Sequence, residues 1–253
     1  MIFSLLLVLA LFGLTLLSRA AIPSAPIGDV SKLSPEALKP PTALQQALAT
    51  LKTADTLFWT LTVLFAAILL SVLGWWSEAG FNRPSRWRNL YLLLIFPLVI
   101  FVFTLSDGFL LPETLQLLSG LLVVSIAVLG EEVIFRGLLW RILIPAGPVW
   151  TVILTSLLSG ALYLARSATG GPWPEAIRLA AFATCAALTY GALRWRTRSI
   201  WPPILVHIPL AYAPSIATIG SAKYPIFILA STIGLLLYGL FLLRNRRVRA
   251  DGC

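Results

Sequence analysis

The chain has 253 residues and a formal net charge of +9, with 58% hydrophobic and only 11% charged residues. A soluble domain carries about 25% charged residues, so this composition excludes an ordinary soluble protein. Several separate apolar runs of about twenty residues indicate helices that cross a lipid bilayer. We therefore predict an all-α fold, a polytopic transmembrane bundle of about eight spans.

Residues 1–55 are predicted to form an N-terminal span and an extracytoplasmic, proline-rich loop. The apolar run at residues 2–18 has no basic residue before it, so we expect a retained span or signal anchor. A cleaved signal peptide is the alternative. Four apolar residues of the loop share one helical face: Leu44, Ala47, Leu48 and Leu51. They predict a short amphipathic helix, either lying on the membrane surface or packed on the bundle.

Residues 56–243 contain the other predicted spans. These are expected at 56–76, 90–111, 115–143, 149–166, 176–194, 200–218 and 225–243. The 115–143 segment is longer than a bilayer requires, so its last turns either leave the hydrocarbon or bend near Gly130.

Arginines follow three of the predicted spans and indicate the orientation of the chain. They are Arg83, Arg86 and Arg88, then Arg194, Arg196 and Arg198, then Arg244, Arg246, Arg247 and Arg249. With eight spans all three groups lie on one side, which the positive-inside rule makes cytoplasmic. Residues 244–253 are then a basic cytoplasmic tail. The positive charge predicts topology and a lipid bilayer as partner, with no nucleic acid partner, and the short connections favour a prokaryotic inner membrane.

Two adjacent glutamates and an arginine interrupt the 115–143 segment. Glu132 and Arg136 are four residues apart in the favourable order for an ion pair on one helix. Glu131 points about 100° away from this pair. Ionisable groups inside a membrane indicate a functional site. Burial disfavours a charged carboxylate, so Glu131 could exchange a proton near neutral pH. Helix packing, or a partner on another span, is the alternative role for the glutamates.

His207 is the single histidine of the chain and lies about two turns inside the 200–218 span. It is expected at a similar depth to Glu131, so the two could meet if their spans are neighbours. One histidine and two glutamates fall short of the three protein ligands usual for catalytic zinc, so no metal and no cofactor are expected. Carboxylate-activated water is the simplest chemistry for these residues.

These residues resemble the CAAX-processing and bacteriocin-processing (CPBP, or Abi) family of intramembrane glutamate-type endopeptidases, which includes the type II CAAX prenyl endopeptidases. Its first motif, E-E-x-x-x-R, is found at Glu131, Glu132 and Arg136, and its third motif, a histidine in a later span, at His207. The resemblance covers roughly residues 90–220. It implies an intramembrane hydrolase that cleaves membrane-anchored substrates such as prenylated C-termini, bacteriocin leaders or sorting tails.

Two motifs depart from the family pattern. The second motif, F-x-x-x-H, has Ser159 and Tyr163 at its counterpart positions, and Ala211 stands four residues after His207, where the family has a small polar residue. The resemblance implies catalytic roles for Glu131 as the base and for His207 as an assisting residue. Tyr163 could donate a hydrogen bond in place of the missing histidine. Glu132 and Arg136 would be structural or orienting.

Other polar side chains near the site are Thr184, Thr189, Tyr190, Ser156 and Ser159. They could compensate for the missing polar groups of the motifs, but hydrogen bonds to helix carbonyls are their expected use. The leading hypothesis is an intramembrane endopeptidase. A catalytically impaired relative, acting as a membrane binding or immunity partner, is the alternative suggested by the two departures. A proton-coupled transporter ranks last, because the chain lacks paired broken helices.

Overall fold

A computed structural model describes residues 42–51, 53–84, 95, 99, 108–109, 112–168, 172–218 and 224–244. This part of the chain is helical, in agreement with the predicted all-α fold, and its β-type pairing is an isolated bridge between Phe109 and Ala217. The α-helices are α1 (Ala43–Leu51), α2 (Ala54–Leu73), α3 (Thr114–Glu132), α4 (Leu139–Leu143), α5 (Pro148–Ala168), α6 (Trp173–Thr197), α7 (Trp201–Ile216) and α8 (Tyr224–Arg244).

Four segments in the described part of the chain are long and apolar enough to cross a membrane. They are Thr56–Leu73, Thr114–Ala146, Trp173–Thr197 and Tyr224–Arg244, and a shorter apolar helix covers Pro148–Leu164. The helices coincide with the predicted spans to within a few residues at most ends. The total of eight stays a prediction, because residues 2–18 and nearly all of 90–111 lie outside the described residues.

Helix α3 continues without a break past Gly130. A π-helical turn, Val133–Leu138, follows α3 directly and leads into α4 and a 3₁₀ turn, Ile144–Ala146. Gly130 serves close packing instead of a bend, since a Cβ atom there would lie 2.7 Å from Cε3 of Trp59 on α2. Single π-helical turns within α-helices occur frequently at functional sites.

The predicted amphipathic helix is α1, and it packs on the bundle against α3. Ala47 is buried at this contact, and the Gln116 side-chain amide donates a hydrogen bond to Oε1 of Gln46. Leu44 and Leu48 remain exposed on the same helix. The helix is therefore held by α3 and presents Leu44 and Leu48 outward.

Helix α6 lies at the centre of the site region and packs against α5, α7 and α8. Small side chains line its contacts, as is typical of helix packing in membranes. A Cβ atom on Gly160 of α5 would overlap Oγ1 of Thr184, and one on Gly239 of α8 would overlap Leu188. These glycines allow α5 and α8 to approach α6 closely, which fixes the position of the side chains that α6 carries.

Arg194 is a structural residue as well as a member of one of the arginine groups from which the orientation was predicted. It is buried near the end of α6, and its guanidinium donates to the backbone oxygens of Arg136 (3.4 Å) and Glu78 (3.1 Å). It also lies over the ring of Trp140, 5.4 Å from the centroid, and fills the space beside Gly80. Arg194 thereby ties the π-helical turn to α6 and to the segment after α2.

Further contacts bring the ends of three helices together at what we call the arginine-rich end. Nε of Arg196 donates to the backbone oxygen of Leu242 near the end of α8 (2.8 Å). The Ser199 hydroxyl donates to the backbone oxygen of Asn82, 2.7 Å away, beyond α2. The residues after α2, after α6 and near the end of α8 therefore lie at one end of the bundle, as their predicted orientation requires.

Candidate active site

The predicted ion pair within the glutamate motif is present. Nη1 of Arg136 lies 3.3 Å from Oε1 of Glu132, and both side chains are completely buried. Nη2 of Arg136 donates to the backbone oxygen of Ala187 on α6, 3.0 Å away. The two charges therefore neutralise each other within one helical segment, and Arg136 also bonds to α6.

The imidazole of His207 contacts Glu132, the second glutamate of the motif. Nδ1 of His207 lies 2.8 Å from Oε1 of Glu132, so this carboxylate oxygen is shared between the histidine and Arg136. The sequence suggested that His207 and Glu131 could meet. The structure joins the histidine directly to Glu132 and brings Glu131 to the same cavity. A carboxylate–histidine contact of this kind sets the tautomer of the imidazole.

A cavity of about 60 Å³ lies between α3, α5, α6 and α7. Its polar lining consists of Glu131, Ser159, Tyr163, Tyr190 and His207. This volume admits a few water molecules, since one water needs roughly 10–15 Å³ measured in this way. The cavity brings a carboxylate, an imidazole and phenol groups to one place where a water molecule or a reacting carbonyl group could bind.

All three residues that depart from the family pattern line this cavity. Ser159 and Tyr163 line it from α5, and Ala211 lines it from α7, one turn after His207. Tyr163 brings a phenol to the position of the second-motif histidine, whereas Ala211 brings only a methyl group. The substitutions therefore change the lining of the cavity itself.

From the sequence, Tyr190 was expected near the site as a polar side chain, but its contact with His207 was not predicted. Its ring is buried and stacks on the imidazole of His207, with centroids 4.5 Å apart and an interplanar angle of 27°. Cζ of Arg136 lies 5.6 Å from the same ring centroid. The signal in the sequence was an aromatic residue in a stretch of α6 rich in alanine and glycine, which suits packing equally well.

Three of the other polar residues do bond to helix carbonyls, as expected. The hydroxyls of Ser156 and Thr184 donate to backbone oxygens one turn earlier in their own helices, at 2.6 and 2.8 Å. Thr189 donates to the backbone oxygen of Leu235 on α8, 2.8 Å away. These hydroxyls are bonded to backbone oxygens of the helices, so their contacts are structural.

Comparison with known families identifies the segment that carries this geometry. Residues 112–213 match the family of type II CAAX prenyl endopeptidases described as Rce1-like. The match confirms the predicted family resemblance over that segment, which runs from the start of α3 through most of α7 and includes every residue of the cavity. No curated protein and no solved structure gives a significant match to the chain.

The Rce1-like family is a protease family, so the match supports a peptidase at the level of the family. The family match and the apolar helices together point to an integral membrane protein that works within a lipid bilayer on a protein substrate.

Proposed function

We propose that the chain is an intramembrane endopeptidase that cleaves a membrane-anchored protein or peptide by glutamate-activated water. The observation that carries the proposal is the shared cavity, in which Glu131, Tyr163 and His207 face one space between four helices. The match of residues 112–213 to a protease family supports the reaction class.

Glu131 acts as the general base in this mechanism. A water molecule in the cavity gives a proton to the Glu131 carboxylate while its oxygen forms a bond to the carbonyl carbon of the scissile peptide. The carbonyl π electrons move onto oxygen and produce a tetrahedral oxyanion. When the C–N bond breaks, the protonated Glu131 returns its proton to the leaving amine nitrogen. The products are one new carboxyl group and one new amine, so atoms and protons balance.

Tyr163 stabilises the oxyanion by donating a hydrogen bond in this proposal, and His207 assists by accepting a hydrogen bond from the attacking water. Removing a donor aimed at the developing negative charge lowers kcat by roughly 10²–10³-fold. Tyr163 cannot accept a proton near neutral pH as a histidine can, so its contribution is donation alone. Glu132 and Arg136 orient the site, since both are buried and Glu132 contacts His207.

The enzyme acts in the inner membrane of a prokaryote, with its C-terminus in the cytoplasm. The contacts at the arginine-rich end support this orientation, because they join arginines of the group after α6 to Glu78 and Leu242, which lie just before the other two arginine groups. The site then opens toward the cytoplasmic half of the bilayer, where a membrane-anchored substrate tail would be cleaved.

Reconstitution in liposomes with three membrane-anchored reporters tests the proposal: a prenylated C-terminal peptide, a bacteriocin-type leader and a sorting tail. We expect cleavage of at least one reporter, and a fall in kcat of about 100-fold or more in Glu131→Gln, as for other acid–base residues. Glu113→Gln is the matched control, because Glu113 is exposed at the start of α3. Cleavage that persists at the wild-type rate in both Glu131→Gln and His207→Ala would sink the proposal. A bound but uncleaved reporter would favour an impaired binding protein.

A further inference from the structure

We propose that Tyr190 is a positioning residue that holds the imidazole of His207 in the orientation the site requires. The geometric part of this inference is independent of the enzyme's chemistry, and its consequence for catalysis rests on the proposed function. Tyr190 does not belong to any of the family motifs seen in the sequence, and it lies on α6, which carries none of them.

The hydrogen bond from His207 to Glu132 fixes only one edge of the imidazole. Nδ1 is held 2.8 Å from Oε1 of Glu132, but a single contact at one ring atom leaves the plane of the ring free to rotate about it. The Tyr190 ring removes this freedom, because it stacks on the imidazole at 4.5 Å with only 27° between the planes. Offset stacking at this distance is a favourable arrangement of two aromatic rings.

The backbone near His207 is interrupted by prolines, so the imidazole needs a side-chain contact such as the Tyr190 stacking to hold its position. Pro209 lies two residues later inside α7 and lacks the N–H that would bond to the carbonyl one turn earlier. Pro214 follows in the same helix. The helix is therefore less constrained by its own hydrogen bonds around His207 than an uninterrupted helix would be, and side-chain contacts must define the ring position.

The position of Tyr190 is itself defined by the ion pair. The Tyr190 ring lies against the guanidinium of Arg136, whose Nη2 bonds to Ala187, one turn before Tyr190 on α6. Glu132 then connects Arg136 to His207 on the other side. These four side chains, Glu132, Arg136, Tyr190 and His207, form a closed ring of contacts between the motif segment, α6 and α7.

The closed ring of contacts determines which imidazole nitrogen is available to the cavity. A carboxylate only accepts hydrogen bonds, so Nδ1 carries the hydrogen that points to Glu132. Nε2 is then the nitrogen with the free lone pair, on the far side of the imidazole from Glu132. With Tyr190 fixing the ring plane, His207 presents this nitrogen to the cavity in a single direction.

His207 is the one histidine of the chain, so its ring can be observed alone. The full-length protein, purified in detergent through a tag without histidine, is labelled with [¹⁵N]histidine for nuclear magnetic resonance. The wild type should show one tautomer with a protonated Nδ1, and Tyr190→Phe, which keeps the ring, should show the same. In Tyr190→Leu the imidazole is no longer held against Glu132 and can turn away from it, so its nitrogen signals should become exchange-averaged. Unchanged signals in Tyr190→Leu would overturn the inference, as would a Phe variant that behaves like Leu.

Matched substitutions at Tyr212 control for the loss of any buried tyrosine. Tyr212 also lies in the bundle, but its hydroxyl donates to the backbone oxygen of Leu117 on α3, 3.0 Å away. Tyr212→Phe and Tyr212→Leu should leave the His207 signals at their wild-type positions. If Tyr190→Leu does not fold, Tyr190→Met retains more of the side-chain volume and tests the same loss of the ring.

Reporter cleavage then gives the catalytic consequence. Tyr190→Leu should lower kcat about 100-fold with little change in KM, the loss expected when a reacting group moves by about 1 Å, and Tyr190→Phe should retain most of the activity. Altered His207 signals with unchanged kcat would overturn the catalytic part. If the wild type cleaves no reporter, the proposed function fails, whereas the nuclear magnetic resonance result still decides the positioning role.

Discussion

The substitution Glu132→Gln removes a negative charge from the buried ion pair and keeps the size of the side chain. Arg136 is completely buried, so it would lose its carboxylate partner in a position that water does not reach. Breaking a buried pair by removing one partner costs about 3–5 kcal/mol. The bond from Arg136 to the backbone oxygen of Ala187 survives, so we expect a loss in unfolding free energy near 3 kcal/mol, the lower end of that range.

Removing the arginine instead should lower the unfolding free energy by less. In Arg136→Met the Glu132 carboxylate keeps its hydrogen bond to the imidazole of His207, whose Nδ1 lies 2.8 Å away. The double variant Glu132→Gln/Arg136→Met carries neither charge, and neutral replacements of a buried pair are often well tolerated. We therefore expect the double variant to be more stable than Glu132→Gln alone, with a coupling energy of about 2 kcal/mol, within the range for contacting residues.

Reversible unfolding in mixed detergent and SDS micelles, followed by tryptophan fluorescence, measures these differences. The exposed pair Glu175–Arg178, with 33% and 44% of its side chains accessible, is the control, and Glu175→Gln should change stability by less than about 1 kcal/mol. Additive effects of Glu132→Gln and Arg136→Met would refute the reasoning, as would a loss in Glu132→Gln no larger than in Glu175→Gln.

Two further predictions concern packing and the cavity. Gly130→Ala places a Cβ atom 2.7 Å from Cε3 of Trp59 and should destabilise the protein by about 1–3 kcal/mol in the same unfolding assay. Gly234→Ala is the control, because a Cβ atom there has no atom within 4 Å and should not destabilise the protein. Equal effects of the two substitutions would contradict the packing argument. Ala211→Asn returns a polar group to the cavity one turn after His207 and should raise kcat about tenfold or more if it supplies an oxyanion donor. Ala211→Leu, of similar size, should not raise kcat, and a gain in both variants would point to volume instead of hydrogen bonding.

The sequence predicted the helices well because apolar runs and their interruptions are local properties. The predicted span 225–243 became α8, and 149–166 became α5. The Glu132–Arg136 pair was also predictable, since a spacing of four residues brings side chains together whether the turn is α-helical or, as here, partly π-helical.

The glutamate that contacts His207 was not predictable from one sequence. Glu131 and Glu132 differ by about 100° around their helix, so the rotation of α3 against α7 decides between them. That rotation depends on distant packing, such as the contact of Gly130 with Trp59 and the π-helical turn after Glu132. A single sequence carries no direct signal for either feature.

Arg194 and Tyr190 show the same limit for single residues. An arginine near the end of a membrane span is typical of topology, and only the fold reveals that Arg194 is buried against Trp140 and Gly80. A tyrosine in an alanine-rich helix is compatible with simple packing, and its stacking on His207 depends on where α7 lies.

The self-contained ion pair also has a consequence for biosynthesis. Ala187 and His207, which contact the pair, are separated by 51 residues from Arg136 and by 75 residues from Glu132, so they are synthesised and inserted later. Lone charges at the bilayer centre cost about 2.5–3.5 kcal/mol each on insertion scales. Because Glu132 and Arg136 neutralise each other within one helical segment, that segment can enter the membrane before α6 and α7 exist. The motif therefore carries its own counter-ion through the stage of assembly at which no other helix can supply one.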